Sequence, residues 1–232
     1  MNRTAAFAVF WLFLLAAAPL ARAASGRVEC NRVPSEILGH AVPYCIILPP
    51  SFDQNPTRHF SVLYFLHGLG DNEQSFIHTG AWNLTEDMRE RGEIREFLIA
   101  TPGGDASFYI NAKDGKARYE DFLLQEFFPF IEKRYRVAPG RGHRAIAGIS
   151  MGGYGALHLA FRHPQLFISV GAHSAALIEK LPVYLGSAPN SPRARLLSGV
   201  FGSHGRLYCV RIGLNSAERV GHVGLLRFRG GL

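Results

Sequence analysis

The chain has 232 residues, 47% of them hydrophobic, which suffices for one domain with a substantial core and shows no repeat or linker that calls for a second. Its formal charge of +7 does not indicate a nucleic-acid partner. Residues 24–181 set 16 basic against 17 acidic side chains, while residues 182–232 hold seven arginines, no lysine and one acid, Glu218.

Residues 1–23 read as a signal peptide. Met1-Asn2-Arg3 is a basic start, residues 5–20 are apolar, and Ala21-Arg22-Ala23 offers a small-x-small cleavage site. Pro19 and the alanine-rich exit favour cleavage after Ala23 over a retained anchor, and no later run is apolar enough to span a bilayer. An exported, periplasmic or extracellular protein is expected. Export permits a cross-strand disulfide between Cys30 and Cys45, which flank a turn at residues 35–40. Cys209 has no evident mate, and no cysteine–histidine spacing suggests a metal.

Strands are predicted at residues 41–48, 60–66, 97–100, 144–149 and 167–172. The second, Phe-Ser-Val-Leu-Tyr-Phe-Leu, is apolar enough for a buried parallel position. Helices are predicted at residues 82–91, 119–135 and 152–162, with Pro129 imposing an irregularity on the second. This alternation describes an α/β sheet covered on both faces, whose chemistry gathers at the carboxyl ends of the strands.

Two motifs fall there. Gly148-Ile149-Ser150-Met151-Gly152 spells G-x-S-x-G between a short apolar strand and an apolar helix. Glycines at both flanks let a serine sit on a tight turn with its hydroxyl exposed, so Ser150 is the expected nucleophile. His67-Gly68-Leu69-Gly70-Asp71 follows the strand at residues 60–66. A tetrahedral oxyanion needs preorganised donors, and the backbone N–H groups of Met151 and Leu69 are the expected pair, with Gly68 and Gly70 as neighbours. A base ahead of the nucleophile breaks the usual chain order, so His67 is expected to order its loop by hydrogen bonds.

The segments LYFLHGLGDNEQSF, WNLTEDM, FLIATPGG, YEDFLLQEFFPFIEKRY and IAGISMGGYGALHLAFRHPQLF resemble the esterase D-like family. Its relatives include S-formylglutathione hydrolases, feruloyl esterase domains and antigen 85 mycolyltransferases. The resemblance implies an α/β-hydrolase three-layer sandwich with a mostly parallel central sheet. It implies Ser150 as nucleophile, Leu69 and Met151 as oxyanion donors, and no metal or organic cofactor. The implied partner is a small-molecule ester, with carbohydrate and lipid esters as candidates, attacked by hydrolysis or by acyl transfer of the antigen 85 type. Tyr119-Glu120-Asp121 would open a flanking helix and serve packing.

The acid and histidine of a triad are unassigned. No aspartate follows Asp121, and the later carboxylates are Glu126, Glu132, Glu179 and Glu218. His204 and His222 are the late histidines, and Glu218 with His222 leaves no room for a crossover. His158 and His163 read as features of the helix after Ser150, and His173 as a pocket residue at a strand end. The domain is drawn at residues 24–202. Residues 203–232 form an atypical tail resembling translation in a wrong frame, so the sheet is expected to stop near Val170, with its last edge incomplete. Without an acid and histidine the chain as written is expected to lack normal esterase turnover, and a noncatalytic carbohydrate- or peptide-binding protein on the same scaffold is the remaining alternative.

Overall fold

A computed structural model describes residues 25–177, 191–202 and 224–227. The proposed signal peptide lies outside the described residues, as do Glu179, His204, Cys209, Glu218 and His222. Seven strands form one sheet: β1 (Arg27–Val33), β2 (Val42–Leu48), β3 (Val62–Leu66), β4 (Leu98–Pro102), β5 (Arg144–Ile149), β6 (Ser169–His173) and β7 (Gly224–Arg227). Their spatial order is β1-β2-β4-β3-β5-β6-β7. Strands β4, β3, β5 and β6 are mutually parallel, whereas β2 and β7 pair antiparallel with their neighbours.

The helical segments are α1 (Ser51–Gln54), α2 (Ser75–His78), α3 (Ala81–Glu90), α4 (Tyr119–Phe122), α5 (Phe128–Arg134), α6 (Met151–Arg162) and α7 (Pro192–Phe201). Between α4 and α5 the backbone takes a π-helical register over Leu123–Phe127. Pro129 stands in the first turn of α5 and can neither donate an N–H nor admit the carbonyl four residues back, which accounts for the irregularity.

The sheet is buried on both faces. One face packs Tyr44, Tyr64, Leu66 and Ile146 against Phe122, Phe127, Ile131, Leu159 and Ala160. The other sets Ile47 and Ile99 against Phe76, with Leu63, Phe65 and Trp82 partly covered. Cys30 and Cys45 are directly opposite in the β1–β2 register and are joined by a disulfide.

One expectation is corrected. The sheet does not end at β6, because β7 pairs with it from Ser169↔Arg227 to Ala172↔Gly224. A β6 edge left open would expose a row of unpaired backbone groups, and any extended segment can cover it. The pairing strand is residues 224–227. Among the described residues no helix is long and apolar enough to cross a membrane.

Candidate active site

The carboxyl ends of β3, β5 and β6 lie level, with Leu66 opposite Gly148 and Ile149 opposite His173. Ser150 leaves β5 with φ 54° and ψ −113°, a left-handed conformation rare for a residue with a side chain, and α6 begins at the next residue. Three backbone hydrogen bonds hold this turn. Ser150 N–H donates to His173 O at 2.9 Å, while Ser150 O accepts from Tyr154 N at 3.0 Å and Ala176 N at 2.9 Å. The glycines act as the motif requires. A Cβ on Gly148 would lie 2.3 Å from the Gly152 carbonyl, and one on Gly152 would lie 1.9 Å from Leu66 O.

The loop after β3 abuts this turn, since a Cβ on Gly68 would meet Ser150 Cβ at 3.6 Å. Met151 opens α6, so its N–H has no acceptor within the helix and stands at the positive end of the helix dipole. Leu69 follows Gly68 and is 38% exposed. Asp71 closes the loop: it accepts from Asn72 N at 2.9 Å and from Ser75 Oγ at 2.7 Å. Partial burial opposes its charge, but these donors prevail and hold the carboxyl below its ordinary range.

His67 is 1% exposed, and both ring nitrogens are engaged. Gly104 N–H donates to Nε2 at 2.8 Å, and Nδ1 meets Gly68 O at 2.8 Å. A ring so committed orders its loop, as expected of it, and cannot also take a proton from Ser150.

The other acids and histidines occupy distinct places. Glu126 accepts from Glu36 N at 3.0 Å and Ile37 N at 3.2 Å, capping the turn after β1. Glu132 makes a two-pronged pair with Arg144 at 2.5 and 2.6 Å. His173 ends β6, and its carbonyl, not its exposed ring, holds the Ser150 amide. Among the described residues no imidazole bonds the Ser150 hydroxyl, and no group of three or more His, Cys, Asp or Glu could hold a metal ion.

Sequence reasoning missed the electrostatic role of Glu120, which was assigned to packing. Its carboxylate, 8% exposed, meets His158 Nε2 at 3.1 Å, His163 Nε2 at 2.9 Å and Arg162 Nε at 3.1 Å. It thereby ties α4 to the carboxyl half of α6, the helix that Ser150 caps at its other end. Burial pushes the Glu120 pKa up, but the two imidazoles and the guanidinium outweigh it and bring the group from 4.5 down to about 2. A carboxylate depressed in the folded state stabilises above its unfolded pKa, and the contribution fades as pH falls through the folded value. The window is thus pH 4.5 down to about 2. Glu120→Gln is expected to be about 3 kcal/mol less stable than wild type at pH 7, with the difference closing towards pH 2. Urea unfolding of both proteins across that range measures it, and a difference independent of pH would contradict the assignment.

The family described as Putative esterase matches residues 35–195. Esterase Rv1288 of Mycobacterium tuberculosis is 32% identical over 135 residues, covering 56% of this chain and 28% of its own. An acetyl esterase of Caldicellulosiruptor saccharolyticus is 30% identical over 122 residues, covering 53% and 44%. The chain thus matches less than half the length of these curated relatives. Among solved structures, a ferulic acid esterase superposes with a TM-score of 0.67 at 35% identity, covering 76% of this chain and 68% of that one. With the fold, the elbow and the family match in agreement, the chain belongs to the Putative esterase family of α/β-hydrolases.

Proposed function

We propose that this protein is an exported serine carboxylic-ester hydrolase that works through an acyl-enzyme on Ser150. The observation that carries the reading is the Ser150 turn, a strained residue held between β5 and α6 with the Gly68 loop against it. Ser150 Oγ would add to the ester carbonyl and lose its proton to a base. The carbonyl oxygen would become an oxyanion facing the Leu69 and Met151 amides. Collapse breaks the bond to the alkoxide, which leaves with that proton, and water then releases the acid from Ser150. The Cys30–Cys45 disulfide supports export, since such bonds persist in oxidising compartments.

Treating the full chain with a fluorophosphonate and mapping the adduct by mass spectrometry tests the reading. A single adduct on the peptide containing Ser150, lost in Ser150→Ala, is expected. An adduct elsewhere would refute the assignment. A second reading, a noncatalytic binding protein on an esterase scaffold, is favoured by the lack of an imidazole on Ser150 among the described residues. It predicts carbohydrate or peptide binding with neither labelling nor turnover.

A further inference from the structure

We infer that His67 is a positioning residue whose ring sets the plane of the Gly68–Leu69 peptide and thereby aims the Leu69 N–H at the oxyanion. This rests on the reading of Ser150 as an acylated nucleophile. The argument starts from what Gly104 can do. A backbone N–H only donates, so the 2.8 Å contact from Gly104 N makes His67 Nε2 an acceptor. The neutral ring then carries its proton on Nδ1, which donates to Gly68 O at 2.8 Å. Asp71 N–H reaches the same carbonyl at 3.2 Å, so two donors converge on it. In a trans peptide the C=O and the following N–H point in opposite directions. Fixing Gly68 O therefore fixes the Leu69 N–H, on the chain that passes against Ser150 Cβ.

The partner of His67 is itself braced. Gly104 packs on the Tyr109 ring so closely that a Cβ there would lie 2.3 Å from Cζ. Tyr109 is fully buried, its hydroxyl donates to His67 O at 3.3 Å, and its ring stands edge-on to the imidazole at 5.8 Å. Ser107 Oγ donates to Gly104 O at 2.6 Å and accepts from Tyr109 N at 3.0 Å. Asp105, Phe108 and Tyr109 all hold positive φ, at 44°, 55° and 59°. Three residues with side chains in that region persist only where packing overdetermines the backbone, and such strain gathers at functional sites. The loop is also wedged on the nucleophile helix, since a Cβ on Gly155 would lie 2.8 Å from Tyr109 Cβ. One brace thus spans both sides of the oxyanion site.

The test exploits the shapes of two amides. In the full chain, asparagine at position 67 places its amide near the site of Nδ1 and keeps a donor for Gly68 O. Glutamine reaches the site of Nε2 and keeps only the acceptor for Gly104 N–H. The second-order rate of fluorophosphonate labelling at Ser150 is expected to fall about hundredfold in His67→Gln and about tenfold or less in His67→Asn. With an ester substrate the loss should appear in kcat and leave KM unchanged. A merely structural His67 predicts the reverse order, because glutamine preserves the buried anchor. Thermal unfolding of both variants separates misfolding from misaiming. Independently, 15N NMR of histidine-labelled protein, with His67 assigned from the Gln variant, should show Nδ1 protonated and Nε2 bare. The opposite tautomer, or glutamine as the milder substitution, would overturn the proposal while leaving Ser150-dependent labelling intact. Labelling that survives Ser150→Ala would instead remove the serine reading and this proposal with it. In a chain that does not label at all, the tautomer decides.

Discussion

Replacing Ser150 by glycine is expected to abolish fluorophosphonate labelling at the elbow and, at the same time, to raise the melting temperature. Ser150 sits at φ 54° and ψ −113°, the dihedrals of the first central position of a type II′ turn, where glycine is the residue at ease. A side chain held there costs about 1–3 kcal/mol. Glycine releases that strain but adds about 1 kcal/mol of chain entropy to the unfolded state. The balance is a gain of about 1 kcal/mol, or about 2–4 °C for a domain of this size. Ser150→Ala is the necessary companion, because it loses the same hydroxyl and keeps the same Cβ. It should be equally unreactive and melt near wild type. Calorimetry of the three proteins gives the answer, and a glycine variant that melts no higher than the alanine variant would refute the strain account. The pairing of lost chemistry with gained stability is expected where a strained turn is kept for the exposure of its hydroxyl.

The same turn shows why some of this structure could be read in advance. Residues 144–149 and 152–162 match β5 and α6 to within one residue, because a short apolar run and a helical repeat bounded by glycines are local signals. The tight turn at Ser150 was legible for a related reason: its flanking glycines record a backbone collision that the sequence must avoid. The edge strands carry no such record. In β1, Arg-Val-Glu-Cys-Asn-Arg-Val is mostly exposed, so it lacks an apolar period and is held by its ladder to β2 and the disulfide. Strand β7 likewise owes its place to the open edge of β6. Glu120 escaped because its partners stand 38 and 43 residues onward, and nothing near Tyr119 announces them. The brace around His67 was half legible. The motif suggested an ordering role, but Gly104 and Tyr109 lie beyond β4 and meet His67 only through the fold.

Gly152→Ala should have the largest effect on stability, and the reason is geometric. The added methyl would stand 1.9 Å from Leu66 O, 2.4 Å from Leu66 C and 2.7 Å from His67 O. Ordinary overpacking costs about 1–3 kcal/mol because neighbouring side chains can turn away. Here every obstructing atom is backbone, at the last residue of β3 or the residue after it, and β3 is paired on one side with β4 and on the other with β5. Neither partner lets β3 move without breaking a ladder. Moving α6 instead would draw it from β5, because Gly148 and Gly152 already touch. The cost should exceed about 4 kcal/mol, which approaches the whole margin of a typical domain, about 5–15 kcal/mol. The expected product is insoluble, or melts more than about 8 °C below wild type, and does not label although Ser150 is present. Gly142→Ala provides the control: a Cβ there meets nothing within 4 Å, so that variant should melt with wild type. If Gly152→Ala also melted with wild type, α6 would not lie against β3 as described. The oxyanion geometry proposed on that contact would fall with it, since Met151 and the Gly68–Leu69 peptide are brought together by the same close approach.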